Sequence, residues 1–369
     1  MIPVCQPWID HREQARASEA LAQGCLAGGG GYVNAFETQW ASHCHRTHAL
    51  AVNNGTAALE LAVHCLNLPP GSEVILPDFT IISCVRAVLS QGLVPVFVDV
   101  DPITWNLRPD AVRAALTDRT AALMPVHMYG LPVDMDPLLS LAEAHQLKVI
   151  EDAAEAHGAV YRGRPCGSFG DISVFSFYAN KIVTTGEGGM ILFDNPAFLA
   201  PAQRYRELGF DPERRFRSSG PGANLRFTAL QAAVGLAQIE KLDESLARKQ
   251  HLAQRYREGL GDVPGLQHPV SDPDSGHVYW MYGIVLDESL QLDGATLIQR
   301  LHALGVDSRP FFLGMHEQPY LHQLGYCPSP EAFPISRRLA RQGVYLPSGT
   351  TLTDSEIDRV IEAVRTVLR

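Results

Sequence analysis

Residues 148–158 read Lys148-Val149-Ile150-Glu151-Asp152-Ala153-Ala154-Glu155-Ala156-His157-Gly158. An apolar run ends in two acids and then meets small residues. That is the pattern of a buried strand that delivers a carboxylate to its own C-terminal end. Similar short runs recur at 48–52, 73–76, 94–99, 122–126, 173–177 and 189–193. Several segments between them repeat with helical period. Ala58, Leu61, Ala62, Cys65 and Leu66 share one face, and Leu138, Leu139 and Ala142 share another. Strand–helix alternation predicts an α/β fold whose mainly parallel, seven-stranded sheet lies between helices.

In such sheets the ligand lies beyond the carboxyl ends of the strands. Chemistry is therefore expected at the polar residues that close the runs: Asn53-Asn54-Gly55-Thr56, Pro77-Asp78-Phe79-Thr80, His127 and Glu151-Asp152. A long helical pattern over 229–260 becomes strongly charged after Glu240. Beyond it come a strand-like stretch at 277–286 and a helix near 295–304. A final helix is opened by the capping box Thr353-x-x-Glu356, with Ile357, Val360, Ile361 and Val364 facing inward. The chain thus divides into a large unit, 1–245 with its N-terminal segment, and a smaller C-terminal α+β unit, 246–369.

Bulk properties narrow the function. The 369 residues are 46% hydrophobic and 19% charged, an ordinary globular balance, and the formal net charge is -10 at pH 7. With no long basic run, nucleic-acid binding is disfavoured, and any phosphate must be held by local amides and hydroxyls against the global field. The N-terminal stretch is short, proline-broken and acidic by Asp10, unlike a signal peptide. No apolar segment approaches the roughly 18–20 residues that span a bilayer. Seven cysteines without a Cys-x-x-Cys read as reduced, mostly buried thiols of a cytoplasmic protein. His43, Cys44, His45 and His48 match no standard zinc spacing, so no metal is expected. The glycine run 28–31 reads as a flexible segment near the site mouth.

Three motifs carry chemistry. In Asn53-Asn54-Gly55-Thr56-Ala57-Ala58 a strand ends, a small-residue turn follows and a helix begins, so free first-turn amides and the Thr56 hydroxyl could hold an anion. Taken alone, this is more often an ordinary capped helix. Asp152 could pair with a protonated pyridine nitrogen, or be a solvated strand-end acid. The run Ser173 to Phe177 delivers Ser176, and Lys181 follows before Thr185-Gly186-Glu187-Gly188-Gly189. Lysine forms Schiff bases with carbonyls once its amine is neutral, although an isolated loop lysine is usually solvated. Together, an anion turn, an acid and a lysine at strand ends suggest a pyridoxal 5′-phosphate (PLP) site.

The chain resembles the DegT/DnrJ-type sugar aminotransferases, of PLP fold type I (aspartate aminotransferase-like). The likeness runs from Phe36-Glu37 to Tyr345-Leu346-Pro347-Ser348-Gly349, and is most specific at 151–158, at Phe175-Ser176-Phe177 and at Lys181 with 185–189. The resemblance implies that Lys181 bonds the cofactor and shuttles a proton, and that Asp152 pairs with the ring nitrogen. Gly55, Thr56 and Ser176 would bind phosphate, Ala57 would also touch the cofactor, and Glu155 would sit beside the ring where many relatives carry Gln. Asn224 would reach the phosphate of a neighbouring subunit, making a homodimer with shared sites. Ile81 stands where many relatives stack an aromatic residue on the ring, so its aliphatic face or Phe79 is expected to cover it.

Within the family, three segments are similar to those of GDP-perosamine synthases: Pro125-Val126-His127-Met128-Tyr129-Gly130, Val278-Tyr279-Trp280-Met281-Tyr282-Gly283 and Arg309-Pro310-Phe311-Phe312 with His316. Leu131 replaces that subgroup's usual His. The likeness implies transfer of an amino group from L-glutamate to C4 of GDP-4-keto-6-deoxymannose, in nucleotide-sugar supply for lipopolysaccharide O-antigen. His127, Glu187, Arg309 and His316 would touch substrate. Other keto acceptors, dTDP- or UDP-linked sugars or a keto-cyclitol, remain open, as does a PLP-binding regulator without turnover. Lys181 opposes a dehydratase, whose relatives carry histidine there. A nicotinamide enzyme would want a Gly-x-Gly-x-x-Gly turn, which Asn53-Asn54-Gly55-Thr56 is not.

Overall fold

The computed structural model describes residues 1–211, 213, 214, 216–271 and 275–369. Its strands are β1 (His48–Val52), β2 (Glu73–Pro77), β3 (Val94–Val98), β4 (Thr120–Leu123), β5 (Lys148–Asp152), β6 (Val160–Tyr161), β7 (Arg164–Pro165), β8 (Ile172–Ser176) and β9 (Gly189–Phe193). Four more follow, β10 (Leu266–Gln267), β11 (Tyr282–Leu286), β12 (Arg309–Pro310) and β13 (Gly343–Leu346). The helices are α1 (His11–Ala22), α2 (Gly31–His43), α3 (Gly55–Leu66), α4 (Ile82–Ser90), α5 (Pro109–Ala115), α6 (Met135–Ala144) and α7 (Leu199–Arg206). After them come α8 (Ala229–Glu240), α9 (Leu242–Leu260), α10 (Gly294–Ala303), α11 (Pro319–Gln323), α12 (Pro334–Gln342) and α13 (Asp354–Leu368).

Seven strands form the large sheet in the order β1-β9-β8-β5-β4-β2-β3. Only β9 runs against the others, pairing antiparallel with both β1 and β8. Alternation along each strand feeds two layers. Val74, Leu76 and Ile150 face a core shared with α2, α3 and α4. Ile75, Leu123 and Val149 face a second core with α5 and α6. The parallel strands therefore end along one edge, and β9 returns the chain so that Gly189 lies against the β1–α3 turn. A Cβ on Gly189 would stand 2.3 Å from the Asn54 carbonyl oxygen, so only glycine permits that approach.

The second sheet, β10-β11-β13-β12, is antiparallel and packs with α9, α10 and α13 in a third core. Ile2 belongs to this core: it pairs with Val306, and Val4 accepts from the Ser348 amide (2.8 Å). The first residues of the chain thus pack against the second sheet and its helices. Two acids at the ends of β2 and β3 tie the large sheet to later segments of the chain. Asp78 accepts from the His316 amide (2.8 Å) and pairs with its Nδ1 (2.7 Å). Asp99, just past β3, accepts from the Ile335 and Ser336 amides (2.9 Å each) and so caps α12 from a distance.

Three expectations need correction. The helical pattern over 229–260 is broken at Lys241 into α8 and α9. The stretch 277–286 becomes strand only from Tyr282, because the chain first turns through Tyr279 at φ 49. The glycine run is not loose at its start: Gly28 pairs with Thr228, and a Cβ there would stand 2.9 Å from Arg226 Cβ.

Lys241 explains the helix break. Fully buried, its Nζ lies 2.7 Å from Glu13 Oε1, 3.4 Å from Asp10 Oδ2 and 2.8 Å from the Trp8 carbonyl. The lysine fastens α1 and the segment before it to the α8–α9 junction. Lys241→Met strands Glu13 as a buried acid without a cation, a change expected to cost about 3–5 kcal/mol. A urea unfolding midpoint equal to that of the wild-type protein would contradict this.

Candidate active site

The turn between β1 and α3 brings Asn54, Gly55 and Thr56 to the C-terminal edge of the sheet. Asn54 caps α3, its Oδ1 accepting from the Ala57 amide (2.8 Å). That bond occupies the Ala57 donor, and Ala57 is not part of the cavity lining. Gly55 packs on Ser176, which closes β8, and a Cβ at 55 would lie 2.7 Å from Ser176 Cβ. Thr56 Oγ1 and Ser83 Oγ are 2.8 Å apart. Three hydroxyls and the first amides of α3 therefore gather at one end of a cavity of about 270 Å³, an arrangement suited to a phosphate. Sequence reasoning missed Ser83, which becomes recognisable only once α4 is packed beside α3.

Asp152 closes β5 and is buried. Its Oδ1 accepts from the Ala154 amide (3.0 Å) and its Oδ2 from the Cys84 thiol (3.2 Å). No lysine, arginine or histidine among the described residues lies within ion-pair distance of it. Burial raises its pKa, with the amide and thiol opposing. A buried acid in this position suits a cationic ring nitrogen. Cys84 reads in the sequence as one more buried thiol; its contact with Asp152 depends on how α4 is placed.

Lys181 follows β8 in a loop, its side chain 9% exposed. Nζ lies 3.8 Å from Glu155 Oε1 and 3.5 Å from the centroid of the Trp280 ring. Glu155 is held by the Tyr129 amide, which donates to Oε2 (2.7 Å). Burial pushes the Lys181 amine down and the Glu155 carboxyl up, while each charge pulls the other back. Ile81 (44% exposed), Tyr178 (48%) and Glu187 stand at the cavity's open side, so the cofactor-face position of Ile81 is accessible.

The remaining expected site residues lie elsewhere. His127 is fully buried: Nε2 pairs with Glu151 (2.9 Å) and Nδ1 accepts from the Val133 amide (3.0 Å), so it faces no substrate. His316 is likewise buried, committed to Asp78 and stacked on Phe333 (4.9 Å). Arg309 is exposed and turns to Asp307 and the Ser308 carbonyl (3.0 Å), outside the cavity lining. Phe79 is buried against Tyr129 and Phe311, which leaves Ile81 as the residue presented to the cavity. Asn224 is exposed beside Asn53, outside its own chain's cavity. His127, Glu151 and Cys166 place possible ligand atoms within 4.8 Å of one another. Glu151, however, accepts from the Gly167 (2.6 Å) and Phe169 (2.8 Å) amides, and these bonds account for the cluster without an ion.

The donor set fits PLP: hydroxyls and helix amides for a phosphate, a buried unpaired acid for a ring nitrogen, and a buried amine for an aldehyde. Proteins of known kind agree. Residues 7–365 match the pattern of the DegT/DnrJ/EryC1/StrS aminotransferase family. The GDP-perosamine synthase of Caulobacter vibrioides is 42% identical over 369 residues, covering 100% of this chain and 98% of that protein. The GDP-perosamine synthase of Vibrio cholerae is 33% identical, covering 99% and 98%. Among solved structures, the aminotransferase TlmJ of Streptoalloteichus hindustanus superposes with a TM-score of 0.92 at 32% identity, covering 100% and 99% of the two chains. S. venezuelae DesV, solved in complex with a ketimine intermediate, gives 0.89 at 34%, covering 97% and 94%. In sequence, in fold and in the residues gathered at the sheet's edge, this chain belongs to the DegT/DnrJ/EryC1/StrS family of PLP-dependent aminotransferases.

Proposed function

We propose that the enzyme moves the amino group of L-glutamate to C4 of GDP-4-keto-6-deoxymannose, working as a homodimer with shared sites in the cytoplasm. The observation that carries the chemical part is the buried Lys181 amine, set in one cavity with the unpaired buried Asp152. The two GDP-perosamine synthases, similar over nearly their whole lengths, support the acceptor.

Bound PLP supplies an aldehyde that condenses with amines and a ring that withdraws electrons from the adjacent carbon. Thr56, Ser83, Ser176 and the α3 amides would hold its phosphate, Asp152 would keep a proton on its ring nitrogen, and Lys181 would bond its aldehyde. With its amine free, Lys181 Nζ would take the proton from the α-carbon of glutamate and later deliver one to the sugar carbon. Glu155 favours the ammonium form of that amine, and burial favours the neutral one. Carboxylates dominate the charged lining contributed by one chain: Asp152, Glu155 and Glu187 against Lys181 alone. Cations for a dicarboxylate and a nucleotide diphosphate must therefore come from elsewhere, which supports a second subunit beside the mouth. Asn224 would serve the partner subunit's phosphate, a role that its exposure outside its own cavity supports.

With L-glutamate the visible absorbance of the loaded protein should bleach, and GDP-4-keto-6-deoxymannose should restore it. The dTDP- and UDP-linked sugars should do so about tenfold less efficiently or worse. Recovery with a dTDP or UDP sugar alone would reassign the acceptor, and bleaching that no keto sugar reverses would leave a binder without turnover. Lys181→Ala should lower turnover by about 10³-fold, read from product formation by mass spectrometry. Glu155→Gln removes the anion that stabilises the ammonium, so the acidic limb of the rate profile should move to lower pH; a shift to higher pH would refute this assignment. Asn224→Ala should weaken cofactor binding about tenfold, the loss of roughly one hydrogen bond to a charged group, as titration of the cofactor-free dimer would show.

A further inference from the structure

Trp280 is absent from the residues the sequence marks as site-forming, yet it touches Lys181 in two ways. Its indole Nε1 donates to the carbonyl oxygen of Asn180 (2.9 Å), the peptide that enters Lys181. Its ring face lies 3.5 Å from Lys181 Nζ. One side chain from the C-terminal unit thus grips both the backbone and the amine of a residue carried by the large sheet.

Trp280 is itself fixed. It is 4% exposed, and its carbonyl accepts from Lys249 Nζ (2.9 Å), a buried amine that also reaches the Ser348 carbonyl. The preceding Val278 amide donates to the Gly130 carbonyl (3.1 Å). Gly130 sits at φ +92, where a Cβ would come within 2.7 Å of Val278 Cγ2 and 3.0 Å of the Trp280 nitrogen. The same turn carries Tyr129, whose ring lies 6.1 Å from Trp280 and whose amide holds Glu155. Two groups within 3.8 Å of the Lys181 amine, Glu155 and the Trp280 ring centre, are therefore set by one loop-to-loop contact.

We propose that Trp280 is the positioning residue for Lys181, a seat that holds the free amine with its lone pair turned toward the reacting carbon. An aromatic face attracts the hydrogen side of an amine or ammonium through its quadrupole and offers nothing to a lone pair. On such a seat the lone pair of the neutral amine points away from the ring, into the cavity. A carboxylate or carbonyl in the same place would fix the hydrogens more tightly and favour the charged form that cannot accept a proton. The inference rests on the reading of Lys181 as the acting amine.

The other groups facing that amine are Glu155 at 3.8 Å, Asp152, Cys5 from the N-terminal segment, and His157. Burial pushes the His157 imidazole down to about 3, so it stays neutral. Cys5, whose thiol points to the Asn180 carbonyl (3.7 Å), is raised by burial and stays protonated near neutral pH. Among these groups Glu155 and Asp152 favour the ammonium, and the Trp280 face adds to them.

Trp280→Phe keeps a weaker ring face and loses the indole N–H, whereas Trp280→Leu loses both. In full-length, cofactor-free protein, the pH dependence of Lys181 acylation by an amine-selective reagent is read peptide by peptide. Labelling should begin at lower pH in Trp280→Leu than in the wild type, with Trp280→Phe between them. In loaded protein, removal of the α-proton of glutamate should slow about tenfold in Trp280→Leu, the loss of one desolvated cation–π contact, and its deuterium isotope effect should rise. Wild-type labelling profiles and isotope effects in both variants would overturn the proposal. If Trp280→Leu does not fold, Trp280→Phe alone decides by the same two readings. Should borohydride fix the cofactor to a residue other than Lys181 in the wild-type protein, the functional reading fails first, and it does so without reference to Trp280.

Discussion

A carboxylate buried without a cation is the constraint around which this molecule is arranged. Asp152 sits at the end of a strand in the middle of the large sheet, buried at the floor of the cavity with 2% of its surface exposed. An ion in that position is costly unless something neutralises it. The protein offers an amide and a thiol, which orient the acid and leave its charge unmatched. Everything else in the cavity follows from supplying a cationic ring to that acid: a phosphate seat on one side, an amine on the other, and an opening through which a second amine can enter.

Much of this was legible in the sequence, because burial and strand ends leave a plain linear trace. The runs at 48–52 and 189–193 are the observed β1 and β9, and the order of motifs placed Asn54-Gly55-Thr56, Asp152, Ser176 and Lys181 at one edge. What the sequence could not convey was which polar residues face inward to the fold and which face the ligand. His127 and His316 looked like substrate contacts because they belong to segments that resemble those of GDP-perosamine synthases. In the folded chain each is paired with an acid, Glu151 and Asp78, that pattern alone cannot match to it across 24 and 238 residues. Cys84, Ser83 and Trp280 were passed over for the converse reason, their neighbours being distant in sequence.

The break at Lys241 teaches a similar lesson. Apolar periodicity runs on through that residue, so local propensity favours one long helix. A buried network of Asp10, Glu13 and the Trp8 carbonyl, all from the opposite end of the chain, sets the lysine at the junction instead. Tertiary electrostatics override helix propensity when the competing difference is a few tenths of a kcal/mol per residue.

The seating of Asp78 and Asp99 bears on how molecules pass in and out. Each of these acids, at the lip of the large sheet, is bonded to the start of a turn or helix in the unit of structure around the second sheet. Swinging that unit away as a rigid door would strip both acids of their partners at once. Rotation of the rim side chains at Ile81, Tyr178 and Glu187, by contrast, breaks none of these bonds, and the entrance can change its width while the casing around it stays whole.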